Sequence, residues 1–177
     1  MSVTVEMDFD LKRINFNFSK ELNKVGEIIK RDHYQRLERG EGVDGSQMKS
    51  LSPNTISAKG NNKILVDTGQ MRNLVIDKAS KTNQAVVIHP GEKRQYKGTS
   101  VTMSDVGGFH QKGTSPYTIT PKKARVLAFQ GSDGMVFTKK VNHPGLPKRE
   151  WFGISNDANQ RSERLMEERI EQELRRA

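Results

Sequence analysis

Four histidines (His33, His89, His110 and His143) and one aspartate ahead of a turn (Asp67, before Thr68-Gly69) are the side chains best suited to acid–base or metal chemistry. Imidazole titrates near neutrality and ligates metals, and a positioned carboxylate serves as a general base. Their spacing argues for blander roles. The histidines are far apart in sequence, and His33 has no second ligand at helical spacing, so it reads as a packed, hydrogen-bonded residue of a helix. His89-Pro90-Gly91 and His143-Pro144-Gly145 read as strand ends, and Asp67 as an Asx-type cap. The sequence has no phosphate-cradling Gly-x-x-x-x-Gly-Lys, no Gly-x-Gly-x-x-Gly after a strand, no His-Glu-x-x-His and no Gly-x-Ser-x-Gly. It has no cysteine, which excludes disulfides, thiolate metal sites and cysteine nucleophiles. The expectation is a protein with no enzymatic activity, no cofactor, no metal and no small-molecule substrate.

Composition turns attention to assembly. The chain of 177 residues fits one domain, residues 1–177, yet apolar residues make up only 33%. Adding the glycines leaves it short of the usual share of about 45–50%. A thin core of this kind is diluted by surface loops or completed by neighbouring subunits. No apolar run approaches the roughly 20 residues that span a bilayer, and Met1-Ser2-Val3-Thr4 lacks a basic–apolar–small signal pattern, so synthesis in the cytosol is expected. The net charge of +9 invites a nucleic-acid partner. The cations are scattered in modest clusters, Lys93-Arg94, Lys122-Lys123-Arg125, Lys139-Lys140 and Lys148-Arg149, with no recognisable nucleic-acid motif. Sequence-independent contact fits better than base reading.

The elements that hold these residues follow from periodicity. Val3, Val5, Met7 and Phe9 alternate as a strand does; Ile14, Phe16 and Phe18 alternate in the other phase, as a second strand or a lead-in. A helix is expected over 19–39, with Ser19 as N-cap and Leu22, Val25, Ile28, Ile29 and Leu37 inward. Its outer face takes Lys24, Glu27, Lys30, Arg31, Gln35, Arg36 and Glu38, and Gly40 stops it. Residues 40–63 form a long polar loop with a short helical turn begun by Pro53. Asp67 to Arg72 resembles a capped helical turn, and Leu74–Ala79 and Gln84–His89 form a hairpin whose Val86-Val87-Ile88 run is covered on both faces. Residues 90–102 are a second polar loop, and Ser104–Gln111 a short helix weakened by Gly107 and Gly108. A half-buried strand over 125–130 turns at Ser132-Asp133-Gly134 into another over 135–141, ended by His143-Pro144-Gly145. Capped at Ser155 or Asn156, a charged terminal helix (about 155–176) carries a narrow seam of Ala158, Leu165, Met166, Ile170 and Leu174. Arg164/Glu168, Arg169/Glu173 and Glu171/Arg175 pair along it at i,i+4.

Several of these segments resemble a known family in their order. Ser52-Pro53-x-Thr55, Ile64-Leu65-Val66-x-Thr68-Gly69-x-Met71-Arg72 and Phe109-His110-Gln111-x-Gly113 resemble the phage virion morphogenesis (tail completion) family of Mu-like phages. Ile119-x-Pro121-Lys122 through Leu127-x-Phe129, Val141-x-His143-Pro144-Gly145 and Pro147-x-Arg149-x-Trp151-Phe152 are similar to the related head–tail joining proteins of long-tailed phages. The family's aromatic before Leu-Ser-Pro is replaced by Met48, and its arginine–proline–phenylalanine end by Arg149-Glu150-Trp151-Phe152. The resemblance implies an α+β fold, an antiparallel sheet packed against the long N-terminal helix with a C-terminal helix and long loops. It also implies a homo-oligomeric, commonly hexameric ring at the head-proximal end of the tail, in the virion neck. There the ring would meet the tail tube and connector proteins, with DNA passing its lumen.

Two alternatives stay open from the residues alone: a basic nucleic-acid-binding module, or a morphogenesis chaperone absent from the finished particle. Trp151, Phe152 and the seam residues Leu165, Ile170 and Leu174 are expected to anchor the terminal helix or a neighbour. Met48, Leu51, Lys93, Arg94, Tyr96 and Lys97, in the two polar loops, are the other expected subunit or partner contacts.

Overall fold

The computed structural model describes residues 14–90, 95, 100–131 and 134–176. The elements in chain order are α1 (Ser19–Arg39), α2 (Pro53–Lys59), β1 (Val75–Asp77), β2 (Val87–His89), α3 (Met103–Lys112) and β3 (Tyr117–Ile119). They continue with β4 (Leu127–Gly131), β5 (Gly134–Thr138), β6 (Val141–His143) and α4 (Asn156–Leu174). The fold is α+β, with every strand pair antiparallel. The strands form three separate two-stranded ribbons, β1–β2, β3–β6 and β4–β5, and not one sheet. Val3–Phe9 and the turn residues Ser132 and Asp133 lie outside the described residues, and 14–18 leads into α1 without strand structure.

The chain divides into two compact units. The first comprises residues 1–32, 75–89 and 154–177, and the second 33–74 and 90–153. Helix α1 contributes its first fourteen residues to one and its last seven to the other.

In the first unit, Asn17 and not Ser19 closes the start of α1: its Oδ1 accepts the Ser19 N–H at 3.2 Å, and Leu22 N–H already bonds Phe18 O at 2.9 Å. An asparagine side chain reaches an orphan helix N–H as well as a serine does. The β1–β2 ribbon lies on the helix at Gly26, where an added Cβ would come 2.9 Å from Val86 Cγ2 and 3.3 Å from Ile76 Cγ2. Asn23 fixes the ribbon further by bonding both the N–H (2.8 Å) and the C=O (3.0 Å) of Ala79. Ribbon and turn match the expected hairpin, but Val87 is exposed, so only one face of that strand is covered. Helix α4 starts at the Ser155 cap, whose hydroxyl accepts the Ala158 N–H at 3.1 Å.

The buried stripe of α4 differs from the expected seam. Ala158 and Glu173 are buried; Ile170 and Leu174 remain 44% and 43% exposed. Glu173 is tolerated inside because it is paired several times over. It accepts the Asn15 N–H at 2.8 Å and salt-bridges Arg169 and Arg176, and Arg169 also reaches Glu21 at 3.6 Å. A buried carboxylate persists only with such partners. The bond from Asn15 first, and then the arginines, hold its pKa below the ordinary carboxylate range.

The second unit is built around Trp151, 2% exposed, with Leu37, His33, Met71, Leu74 and Met103 also buried. His33 tilts against the indole with ring centroids 5.5 Å apart, and its Nε2 lies 3.0 Å from Met71 O. Arg36, expected outside, is buried: its guanidinium donates to Gly153 O at 3.2 Å and Trp151 O at 3.5 Å. Main-chain acceptors make that burial tolerable. Helix α2 forms as expected, with Ser52 as N-cap, Pro53 in the first turn and Gly60 as C-cap. Asp67 to Arg72 ends in a single helical turn that is not continued into a helix, Asn73 N–H bonding Gly69 O four residues back at 3.3 Å. Helix α3 survives its two glycines because Thr102 and Asp105 form a reciprocal capping box. The strand expected over 135–141 divides at Lys139-Lys140: β5 pairs with β4, while β6 pairs with β3. The strand over 125–130 is not half-buried, since Ala128, Phe129 and Gln130 are all exposed.

Candidate functional site

The motif segments scattered over the sequence converge in the second unit. Gln111, near the end of α3, is their centre. Its Oε1 accepts the main-chain N–H groups of Trp151 (3.0 Å) and Phe152 (3.1 Å), while its Nε2 donates to Phe152 O at 3.1 Å. One primary amide thus replaces the ladder that a neighbouring strand would supply, because Gln, like Asn, carries a C=O and an NH₂ side by side as the backbone amide does. One residue earlier, the His110 carbonyl accepts Arg149 N–H at 2.7 Å. The segment Arg149–Phe152 is therefore stitched to α3 along its backbone.

Glycine explains how closely the segments approach. Gly113 has φ +73°, and a Cβ there would sit 2.9 Å from Leu146 O and 3.0 Å from Lys148 N. Gly145, at φ +83°, faces Thr114 O, which a Cβ would approach to 2.1 Å. Each lies in the left-handed region that favours glycine. At this crossing Thr114 N–H bonds Leu146 O at 3.0 Å, and Leu146 N–H bonds the Thr114 hydroxyl at 2.8 Å. His143 is used locally: its Nδ1 accepts Gly145 N–H at 3.0 Å and its ring stacks on Tyr117, centroids 4.8 Å apart.

Between these segments runs a cleft of about 460 Å³, lined among others by Leu51, Ser52, Thr55, His110, Pro144 and Arg149. A second cleft of about 290 Å³ shares Leu51, Thr55, His110 and Arg149 with it. Arg149 donates from its guanidinium to Lys49 O at 3.1 Å, tying the loop after α1 to the Trp151 segment. His110 is held neutral, its pKa lowered to about 4 by burial first and then by the Arg149 and Lys59 charges. An imidazole so far from its ordinary value is not poised for proton transfer at neutral pH. Among the described residues no group of three His, Asp or Glu side chains gathers in metal-binding geometry. What the polar groups around the cleft do is fasten chain segments to one another.

The residues expected at subunit contacts fall in different places. Trp151 is an interior residue of the second unit, its Nε1 bonded to Gly107 O at 2.9 Å. Phe152 stands beside it, partly exposed. Met48 and Leu51 are half-buried; Met48 lines a shallow depression with Gly42 and Lys148. The loop around Met48 is ordered by its own backbone: Gly42 N–H bonds Ser46 O at 2.9 Å and Val43 N–H bonds Glu150 O at 2.8 Å. Lys93, Arg94, Tyr96 and Lys97 lie outside the described residues. Leu165 is half-buried in α4, with Ile170 and Leu174 exposed beyond it.

Sequence reasoning passed over a bare apolar feature, the β4–β5 hairpin. Phe129, Met135, Val136 and Phe137 are all exposed there, up to 57% for Met135 and 67% for Phe137. The consecutive Met135-Val136-Phe137 run between the Ser132-Asp133-Gly134 turn and Lys139-Lys140 was the available signal, since consecutive strand residues face opposite sides.

No curated protein and no solved structure matches the chain. The phage virion morphogenesis family matches it over residues 10–174, a span that covers the second unit, most of the first and every motif described above. Ordered motifs that fasten one another, together with a match over nearly the whole length, assign the chain to an assembly family: it belongs to the phage virion morphogenesis family.

Proposed function

We propose that this chain completes the head-proximal end of the phage tail as a ring of identical subunits and helps join tail to head. Family membership supports a role in virion assembly. The observation that carries the finer reading is the apolar surface a lone subunit leaves in water: Phe129, Met135, Val136 and Phe137 on the hairpin, with Ile170 and Leu174 on α4. Scattered exposed apolar residues are normal, but a hairpin bare on both faces marks an interaction surface. The net charge of +9 suits a lumen through which DNA passes by screened, sequence-independent contact.

The test is a phage lacking this chain. Full heads and finished tails that remain apart, or tails of uncontrolled length, are expected, together with the chain's presence at the neck of purified wild-type virions. Infectious particles formed normally without it would overturn the reading. Its absence from mature virions despite a joining defect would make it a chaperone instead.

A further inference from the structure

We propose that the β4–β5 hairpin of one copy seats on the outer face of α4 of the next copy, so that successive subunits join head to tail. This names the interface of the ring proposed above and rests on that reading. The register places Ala128 opposite Phe137 and Gln130 opposite Met135 on one face of the ribbon, and Phe129 opposite Val136 on the other. A two-stranded ribbon is marginal alone in water, and this one keeps its apolar side chains bare.

Charge identifies the occupant. The root of the hairpin is cationic, with Lys122, Lys123 and Arg125 entering and Lys139 and Lys140 leaving, all exposed. In a chain of net charge +9, α4 is the acidic element, with six acidic against three basic side chains. Its exposed Glu163, Glu167 and Glu171 form one row at i,i+4, beside the exposed Ile170 and Leu174. Each patch thus presents what the other lacks, apolar against apolar and cation against carboxylate. The lengths agree: Glu163 to Leu174 rises about 17 Å along a helix, and a five-residue strand extends about 17 Å. Exposed pairs such as Glu171–Arg175, 3.3 Å apart, cost little to exchange for new partners. Because the two patches differ, the contact is heterologous, the kind that closes rings.

The chain has no cysteine, so engineered pairs report cleanly. Full-length copies carrying Met135→Cys and one tag are mixed with copies carrying Glu167→Cys and a second tag, then oxidised. A disulfide between the tags is expected, and none when Ser57→Cys replaces Glu167→Cys. In parallel, Lys139→Glu with Lys140→Glu should weaken self-association at least tenfold by light scattering. Combining them with Glu167→Lys and Glu171→Lys should restore it, with melting temperatures unchanged throughout. A wild type that oligomerises while cross-link and charge reversal both fail would overturn this interface and leave the ring standing. A wild type monomeric at every concentration, with no cross-link, would overturn both. A hairpin cysteine that links only to a tail-tube subunit in purified tails would overturn the self-contact.

Discussion

The indole of Trp151 occupies the space that a side chain at position 107 would need. An added Cβ on Gly107 would lie 2.5 Å from Trp151 Cζ2, and the indole N–H is bonded to the Gly107 carbonyl at 2.9 Å. The glycine that weakens α3 by propensity is what lets the helix touch the central aromatic of its unit.

Gly107→Ala should therefore destabilise the protein even though alanine is the better helix former. Overpacking costs about 1–3 kcal/mol, against a propensity gain of about 1 kcal/mol. Gly108→Ala is the control, with nothing within 4 Å of its added Cβ. It should be neutral or stabilising. Urea denaturation of the pair decides the matter, and equal effects would refute the close-approach argument.

Gln111→Ala leaves two main-chain N–H groups, those of Trp151 and Phe152, without their acceptor. The Trp151 bond is part-buried and the Phe152 bond exposed, so the loss should cost about 1 kcal/mol, the low end of the range for an unmade hydrogen bond. Gln111→Glu keeps the acceptors but sets a carboxylate oxygen against Phe152 O, so it should fall between wild type and alanine at pH 7. Near-ultraviolet circular dichroism should show loss of the Trp151 signal in the alanine variant before helical content changes.

His110 gives the second unit a pH dependence of definite sign. Its folded pKa of about 4 lies below the ordinary value of 6.5, so the unfolded chain takes up the proton first. Stability should fall as pH drops from about 6.5 to about 4, by up to about 3 kcal/mol at 1.36 kcal/mol per pKa unit, and level off below. His110→Asn should flatten that window while leaving the His110 carbonyl bond to Arg149 in place. Melting temperatures from pH 7.5 to 4 measure it.

Glu173 acts lower on the pH scale and in the other unit. Its folded pKa is depressed, so its contribution is present above the unfolded value and is lost as pH falls through the folded one. Glu173→Gln should lower the melting temperature at neutral pH and shrink the gap to wild type below about pH 4. A gap that stays constant down to pH 2 would show that the ion pairs with Arg169 and Arg176 contribute nothing.

Local signals carried much of the architecture into the sequence. Pro53 after Ser52, Ser155 before α4 and Gly60 after α2 mark helix ends because capping is settled within a few residues. Long-range choices were not legible. The turn at Ser132-Asp133-Gly134 announced that β5 folds back on β4, but nothing local to 135–143 says that β6 breaks away to Tyr117–Ile119, for that pairing is decided by partners some 24 residues away. The bond of the Trp151 indole to Gly107, 44 residues upstream, was likewise beyond any local signal. The α4 seam misled for another reason: counting apolar residues cannot reveal that Glu173 goes inside because Asn15, Arg169 and Arg176 neutralise it. The motif residues of the family resemblance meet in the second unit, where the structure shows them fastening chain segments to one another.

The break at Lys139-Lys140 has a mechanical consequence. Residues 120–126 and 139–140, which tether the β4–β5 tab to its unit, carry no strand ladder. Swinging the tab therefore sacrifices none of the β3–β6 pairing, and its reach is set by two short strings and not by a rigid sheet. In the ring proposed above, such a tab would let successive copies absorb small mismatches in spacing, so that the last one fitted could still close the circle.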